Sequence, residues 1–172
     1  MDGSKNTTTT ATSYGYGGKS QTNARLRSRK KRMMTFKPYK SKFEYEVATL
    51  MEEQGVYFEY EPKQIRYRLP IRGGRCNDCD SINVGKSCTY TPDFWLPMLG
   101  IWVETKGKWD SAGRSKIASV LDSDNEVNHE NFRMLFMYDN WITKNKRETY
   151  TDWCEKRGIS SGVGKAIPKE WF

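Results

Sequence analysis

The stretch TYTPDFWLPMLGIWVETKGKW, residues 89–109, carries the strongest fold signal of this 172-residue chain. Two apolar runs flank Pro97-Met98-Leu99-Gly100, a combination that predicts two antiparallel strands joined by a tight turn. A hairpin centred on that turn places Asp93, at the end of one run, directly opposite Glu104 on the other strand. Opposed side chains have Cβ atoms about 4.5–5.5 Å apart, and two like charges there are destabilising. The sequence therefore predicts a carboxylate pair that needs a cation.

The residues around this pair favour a metal-dependent nuclease site over an amphipathic hairpin with a solvated outer face. Side chains alternate along a strand, so Lys106 lies on the same face as Glu104 and Trp102. The aromatic and aliphatic flanks indicate burial, and buried carboxylates need a metal or a paired cation. Phosphodiester hydrolysis needs an activated water and neutralised oxygens, which two divalent ions about 3.5–4 Å apart supply. Carboxylate ligands favour Mg²⁺ or Mn²⁺ over zinc. His129, in a polar acidic loop, is expected at the surface and leaves Lys106 as the candidate base.

Positive charge is concentrated in the first 40 residues. The whole chain carries a net charge of +8, whereas residues 1–40 carry ten Lys and Arg against one acidic residue. Residues 1–35 are predicted to be a disordered basic arm, and residues 36–172 the folded domain. The most basic run is a candidate phosphate-binding segment, with a solvated linker or a targeting signal as alternatives. Its candidate DNA-binding residues are Arg25, Arg27, Arg29, Lys30, Lys31 and Arg32.

Hydrophobic periodicity predicts a mixed α/β domain in which helices flank a central sheet. Helices are predicted over 41–54, from Asp110 or Ser111 to 121, and from Thr149 or Thr151 to 157. Strands are predicted over 56–61, 65–69 and 132–138, in addition to the hairpin. Glu44 lies in the first helix, beside apolar residues, where the alternative interpretation is a surface glutamate near the helix N-terminus. The sequence has neither a signal-peptide-like segment nor a membrane-spanning window, so a cytoplasmic protein with no membrane partner is expected.

The chain resembles the phage endonuclease I family of Holliday-junction resolvases, within the PD-(D/E)xK nuclease superfamily. The segments that carry the resemblance are SKFEYEVATLMEEQGVYFEYE (41–61), TYTPDFWLP (89–97), IWVETKGKW (101–109), WCEKRGI (153–159) and IPKEWF (167–172). It extends over about residues 40–172. The resemblance implies a restriction-endonuclease-like core and a domain-swapped homodimer with two composite active sites that cut branched DNA.

The resemblance also implies a role for each candidate site residue. Asp93 and Glu104 would bind metal, joined by the backbone carbonyl of Thr105. Glu44 would complete the shell of a second metal ion, giving two Mg²⁺ or Mn²⁺ per site. Lys106 would orient or deprotonate the attacking water and stabilise the charge of the transition state.

Residues 71–88, IRGGRCNDCDSINVGKSC, depart from the family as an insertion. Cys76, Cys79 and Cys88 are candidate ligands of a structural zinc ion, with free thiols or a disulfide as alternatives. Tetrahedral zinc requires four ligands, so Asp78, Asp80, the distant Cys154 or a partner subunit would supply the fourth. The remaining candidate DNA-binding residues are Lys42, Arg72, Arg75 and Lys108.

The sequence thus predicts a structure-selective endonuclease that resolves four-way junctions and other branched DNA. One alternative is a nuclease of the same superfamily with another target, for instance a site-specific or transposase-like end-cleaving enzyme. The other is a non-catalytic DNA-binding module with a zinc knuckle and a basic arm. In the host cell, if the chain is phage-encoded, the enzyme is expected in the cytoplasm.

Overall fold

A computed structural model describes residues 1–3, 36–70 and 85–172, without the side chain of Pro70. The chain divides into two units, Met1–Thr35 and Phe36–Phe172, and the fold described below is that of the second. The basic run at 25–32, as well as Arg72, Arg75, Cys76 and Cys79, lies outside the described residues, so the predictions made for them remain predictions.

Over its described residues, the second unit is a mixed α/β fold with three α-helices, as the periodicity predicts. Its helices are α1 (Lys42–Glu53), α2 (Ser111–Leu121) and α3 (Tyr150–Glu155), followed by a 3₁₀ helix (Lys169–Trp171). Its strands are β1 (Glu59–Tyr60), β2 (Ile65–Pro70), β3 (Gly85–Tyr90), β4 (Phe94–Leu96), β5 (Ile101–Lys106), β6 (Phe132–Phe136) and β7 (Ser160–Val163). The central sheet has the order β1-β4-β5-β6-β7. It is mixed, because β1, β4 and β5 pair antiparallel whereas β5, β6 and β7 pair parallel.

The β4–β5 hairpin has the predicted register. Its Cα partners are Phe94 with Val103, Trp95 with Trp102 and Leu96 with Ile101. The turn closes through two hydrogen bonds, in which the N–H groups of Leu99 and Gly100 donate to the carbonyl of Leu96 (3.1 and 2.9 Å). Gly100 has φ +65°, a left-handed conformation that glycine adopts without steric cost.

The two faces of the sheet pack into separate hydrophobic clusters, and β5 contributes to both. Ile101 and Val103 lie in the cluster that α1 covers, whereas Trp102 lies in the cluster that α2, α3, β2 and β3 cover. The predicted alternation along β5 is therefore confirmed. Glu104 and Lys106 follow Trp102 at two-residue spacing, so their side chains lie on the same face of the sheet as Trp102. Both residues lie near the carboxyl end of β5.

Three elements differ from the sequence prediction. Strand β2 leaves the central sheet and pairs with β3 in a separate two-stranded sheet, so residues 85–88, predicted to belong to the insertion, form part of a strand. Strand β7 had no counterpart in the prediction, because Ser160-Ser161-Gly162-Val163 has no alternation of apolar and polar residues. The predicted strand over 56–61 shortens to Glu59–Tyr60, which pairs with only two residues of β4.

Across 36–70 and 85–172, no helix combines the length and the apolar character needed to span a bilayer.

Candidate active site

Asp93 immediately precedes β4 and is tied to β5 by two hydrogen bonds. One of its carboxylate oxygens, Oδ2, accepts from the backbone N–H of Thr105 and from its hydroxyl, both at 2.8 Å. The side chain is buried, with 7% of the residue exposed. The hairpin register explains this position, since extending the ladder by one residue from Phe94 and Val103 sets Asp93 opposite Glu104.

Glu104 is the more deeply buried member of the pair, with only 2% of the residue exposed. Its Oε2 accepts a hydrogen bond from the hydroxyl of Tyr90 at 2.5 Å. Its Oε1 lies 2.5 Å from Nζ of Lys106, two residues further along β5. The carboxylate is therefore held between a neutral donor from β3 and an ammonium from its own strand.

Glu44 reaches the site from the first turn of α1. Its Oε1 accepts from the hydroxyl of the N-cap residue Ser41 at 2.8 Å. Its Oε2 accepts from the backbone N–H of Lys40 at 2.9 Å and from the hydroxyl of Tyr60 at 2.6 Å. Because the Ser41 hydroxyl also accepts from the N–H of Glu44, the helix cap fixes the backbone of the residue that carries this carboxylate.

These charges shift one another's proton affinities. Burial, reinforced by the charge of Glu104, raises the pKa of Asp93 to about 7, against the opposing effects of Lys106 and of the Thr105 hydrogen bonds. Burial alone lowers the pKa of Lys106, but the carboxylates of Glu104, Asp93 and Glu44 outweigh it, and the net pKa is raised. The three carboxylates and the lysine thus form one electrostatic cluster at the carboxyl end of β5.

The donor set of this cluster fits a hard divalent cation that keeps part of its hydration shell. Two carboxylates are buried here, and burial together with the charge of Glu104 disfavours the charged form of Asp93, which a bound cation would favour. Within the described part of the chain, no group of three His, Cys, Asp or Glu side chains converges as a ready ion cage. Mg²⁺ is usually bound by one or two carboxylates and several waters, so Asp93 and Glu104 match it. Glu44 accepts hydrogen bonds from three donors of the chain itself.

Four further residues that the sequence analysis gave as candidates for DNA or zinc binding lie in the described part of the chain. Lys42 is exposed on the first turn of α1 and pairs with Glu46 at 3.3 Å. Lys108 is exposed just after β5. Cys88, in β3, is half-buried with a free thiol opposite Tyr67. Cys154 is fully buried in the core, and burial raises the pKa of its thiol to about 12, which makes it a poor fourth ligand for zinc.

Sequence reasoning missed the two tyrosines that bind the candidate carboxylates. Tyr90 is fully enclosed, and burial together with the charge of Glu104 raises the pKa of its hydroxyl well above the usual value. Burial and the bond to Glu44 raise the pKa of Tyr60 in the same way. Both hydroxyls therefore stay protonated and act as donors. Tyr90 stands three residues before Asp93, within residues 89–109, and that proximity was the available signal.

Comparisons with known proteins show which family the chain resembles over most of its length. A family model described as phage endonuclease I matches residues 25–172. Endonuclease I of Escherichia phage T7 is 34% identical over 135 residues, which is 78% of this chain and 78% of that protein. Endodeoxyribonuclease 1 of Enterobacteria phage T3 is 34% identical over 122 residues, covering 70% of this chain and 68% of that protein. On the extent of these matches, the chain belongs to the phage endonuclease I family.

Proposed function

We propose that this chain is a DNA endonuclease that resolves four-way junctions and other branched DNA by metal-dependent phosphodiester hydrolysis. Its family, and relatives named as an endonuclease and an endodeoxyribonuclease, identify the coarser activity, cleavage of DNA. One observation carries the chemical part of the proposal: Asp93 and Glu104 form a buried carboxylate pair with Lys106 beside them. Charges so placed are costly to bury unless they bind a cation or take part in chemistry.

Asp93 and Glu104 would hold the metal, with the backbone carbonyl of Thr105 between them and Glu44 serving a second ion. Bound Mg²⁺ or Mn²⁺ supplies a nucleophilic water at neutral pH and neutralises charge on the scissile phosphate. The chain's own part is to fix the ligands. The Thr105 N–H and hydroxyl orient Asp93, the Tyr90 hydroxyl orients Glu104, and Tyr60 with Ser41 orients Glu44.

Lys106 is the candidate residue for handling the attacking water and the phosphate charge. Its pKa is raised by the neighbouring carboxylates, so its ammonium form dominates at neutral pH. In that form it donates hydrogen bonds to the water or to a phosphate oxygen and stabilises the negative charge of the transition state. A divalent cation at Asp93 and Glu104 would counter that effect of the carboxylates, and Lys106 would then be able to accept a proton from the water.

The arrangement of elements supports a PD-(D/E)xK core. Pro92-Asp93 leads into β4, Glu104-Thr105-Lys106 ends the neighbouring β5, and α1 brings Glu44 to the same end of the sheet. The sheet thereby delivers three charged groups to one edge, and α1 delivers the fourth. Two such sites, related by the twofold axis of a homodimer, would act on opposed strands of a branch.

The test is cleavage of a synthetic four-way junction, with and without Mg²⁺, by the unaltered protein and by Glu104→Gln. Linear duplexes carrying the sequences of the junction arms serve as the control substrate. We expect Mg²⁺-dependent cuts near the branch, loss of at least about 10²-fold in rate with Glu104→Gln, and little cutting of the duplexes. Equal cleavage of duplex and junction would identify a nuclease with another target. Binding without cleavage in Mg²⁺ or Mn²⁺ would identify a non-catalytic DNA-binding module.

A further inference from the structure

A loop of ten residues, 138–147, begins directly beside the candidate active site. It follows β6, and the N–H of Met137 donates to the carbonyl of Lys106 at 3.0 Å. The side-chain amide of Asn140 lies 3.5 Å from the carbonyl of Gly107. The loop is thus attached to the segment that carries the candidate catalytic lysine, at the carboxyl edge of β5 and β6.

Internal contacts hold this loop in one shape. Trp141 forms an antiparallel bridge with Thr149. The N–H of Ile142 donates to the carbonyl of Glu148 at 2.8 Å, and the Ile142 side chain packs against the hydrophobic cluster that contains Trp102. A turn hydrogen bond links the N–H of Lys146 to the carbonyl of Thr143 at 3.1 Å. A surface that is already ordered loses little conformational entropy when a ligand binds.

The exposed side chains of the loop combine two aromatic rings with three cations. Tyr138 is 64% exposed and Trp141 is 49% exposed, unusual values for large aromatic residues of a protein with a well-filled core. The cations are Lys144, Lys146 and Arg147, all exposed. No ion pair involves any of these three within 36–70 and 85–172.

The acidic neighbours of these cations are engaged elsewhere. Asp139 accepts hydrogen bonds from the backbone N–H and the hydroxyl of Thr151 at 3.0 and 2.7 Å, at the start of α3. Glu148 pairs with Lys156 at 2.7 Å. The loop therefore presents a net positive surface with accessible ring faces.

We propose that this aromatic–basic loop binds unpaired nucleotides of branched DNA, next to the phosphate that is cut. Tyr138 and Trp141 stack on bases that have no pairing partner, and Lys144, Lys146 and Arg147 contact the adjoining phosphates. Aromatic rings combined with a cationic track are typical of surfaces that bind single strands. Bases of intact duplex arms are stacked and cannot reach such rings, so the loop discriminates branched DNA that has unpaired nucleotides from fully paired DNA. The inference rests on the proposed function, since it concerns how that site selects its DNA.

The experiment measures binding in divalent-free buffer, where no cleavage occurs. The probes are a branched DNA with 2-aminopurine among unpaired nucleotides at the branch, and a fully paired duplex of equal length. The variants are Tyr138→Ala, Trp141→Ala, Trp141→Phe and the triple substitution Lys144→Gln/Lys146→Gln/Arg147→Gln. Tyr57 and Lys63 provide controls as Tyr57→Ala and Lys63→Gln, because both are exposed and lie near the opposite edge, where β1 and β5 begin.

Loss of one stacked base weakens binding of branched DNA about 5- to 150-fold. We expect that loss for Tyr138→Ala and Trp141→Ala, with less than about twofold change on duplex, recovery in Trp141→Phe, and weaker quenching of 2-aminopurine. The triple variant should lower the salt slope of binding by about 0.7 for each phosphate of the unpaired strand that the loop no longer neutralises. The Tyr57 and Lys63 variants should behave as the unaltered protein does.

Unchanged affinity in both alanine variants, together with an unchanged salt slope in the triple variant, would overturn the loop as a DNA surface. Equal losses on duplex and branched DNA would overturn its assignment to unpaired nucleotides. Failure of the unaltered protein to cleave in Mg²⁺ would instead refute the proposed function, and the binding measurements would distinguish the two results.

Discussion

Asp93 illustrates how one buried carboxylate links stability to metal binding. Its pKa of about 7 lies above the usual value near 3.8, because burial and Glu104 disfavour its charged form. The native state therefore holds this proton more tightly than the unfolded chain does. The contribution of Asp93 to stability is greatest below about pH 4 and falls as pH rises to about 7.

The substitution Asp93→Asn removes that pH-dependent cost together with the metal ligand. In divalent-free buffer at pH 8, we expect the free energy of unfolding to rise by about 2–4 kcal/mol. Cleavage should be abolished while binding of branched DNA is kept or strengthened, since a negative charge facing phosphate is gone. Chemical denaturation, gel cleavage and binding titrations measure the three effects.

Mg²⁺ should stabilise the unaltered protein more at pH 8 than at pH 6, because the metal competes with the proton on Asp93. Asp124→Asn is the control for Asp93→Asn, because it removes the charge of an exposed aspartate. Near-normal Mg²⁺-dependent cleavage by Asp93→Asn would contradict the assignment of Asp93 as a ligand.

Tyr90 is expected to position Glu104 through its hydroxyl. Tyr90→Phe keeps the ring in the core and removes the only neutral side-chain donor that Glu104 has among the described residues. Loss of such an outer-sphere partner typically costs 10–100-fold in metal affinity or activity. We expect the Mg²⁺ concentration for half-maximal cleavage to rise by about that factor.

Tyr67→Phe is the matched control for Tyr90. Tyr67 is buried in the same cluster and faces Cys88 on the neighbouring strand, rather than a carboxylate. Its hydroxyl should therefore leave the Mg²⁺ requirement unchanged. Identical Mg²⁺ titration curves for both variants would show that Tyr90 serves packing alone.

Among the elements, the β4–β5 hairpin was predictable down to its register. Its alternation, its turn residues and the glycine at positive φ all specify one pairing, and that pairing opposes Asp93 to Glu104. Three of the four candidate catalytic groups follow from this local pattern. Glu44 does not, since a helix carries no local sign of which strand it packs against; its position beside apolar residues made it a candidate, and the family resemblance gave it a role.

Strands β2, β3 and β7 were harder to predict because long-range contacts define them. Nothing local in Ile65–Pro70 says that its partner is Gly85–Tyr90 rather than an edge of the central sheet. Tyr60 and Tyr90 were missed for the same reason, as their acceptors lie 16 and 14 residues away along the chain. The local sequence predicts a strand, whereas tertiary packing decides its partner.

Gly162, in strand β7, packs closely against Pro168. A Cβ at this position would lie 2.4 Å from Cγ of Pro168, in the segment that leads to the final 3₁₀ helix. Gly162→Ala should therefore overpack this contact and lower the free energy of unfolding by about 1–3 kcal/mol. Urea denaturation measures it, with Val163→Ala, an exposed position of the same strand, as the control. An unchanged midpoint for Gly162→Ala would contradict the close approach of Pro168.

At the scale of the whole chain, the excess positive charge lies in a different part of the sequence from the candidate active site. Residues 1–33 contain eight Lys and Arg, and residues 41–172 carry a net charge of about −1. Deleting residues 1–33 should flatten the salt dependence of DNA binding by up to about 0.9 for each phosphate that the arm neutralises. The cleavage rate at saturating DNA should change little. Salt titrations of the full-length and truncated proteins measure the slopes, and equal slopes would exclude the arm from binding the DNA backbone.

Resolving a four-way junction needs two cuts related by symmetry, and therefore two active sites. A twofold homodimer supplies two identical sites in that relation. We expect a dimeric mass in solution and a domain-swapped arrangement, in which α1 and β5 of one site come from different subunits. In the structure of the single chain, Glu44 and Lys106 act on each other electrostatically; exchange of α1 between subunits would make the same contact between two chains.

Co-refolding two inactive variants tests this arrangement. Glu44→Ala and Lys106→Ala, unfolded and refolded together, give swapped heterodimers in which one site has both native residues and the other has neither. Such heterodimers should nick one strand of a supercoiled plasmid cruciform without linearising it, whereas each variant refolded alone stays inactive. In an unswapped heterodimer every site keeps one lesion, so no nicking would appear after mixing. Absence of nicking would thus place each site within one subunit, and a monomeric mass would exclude the paired cuts altogether.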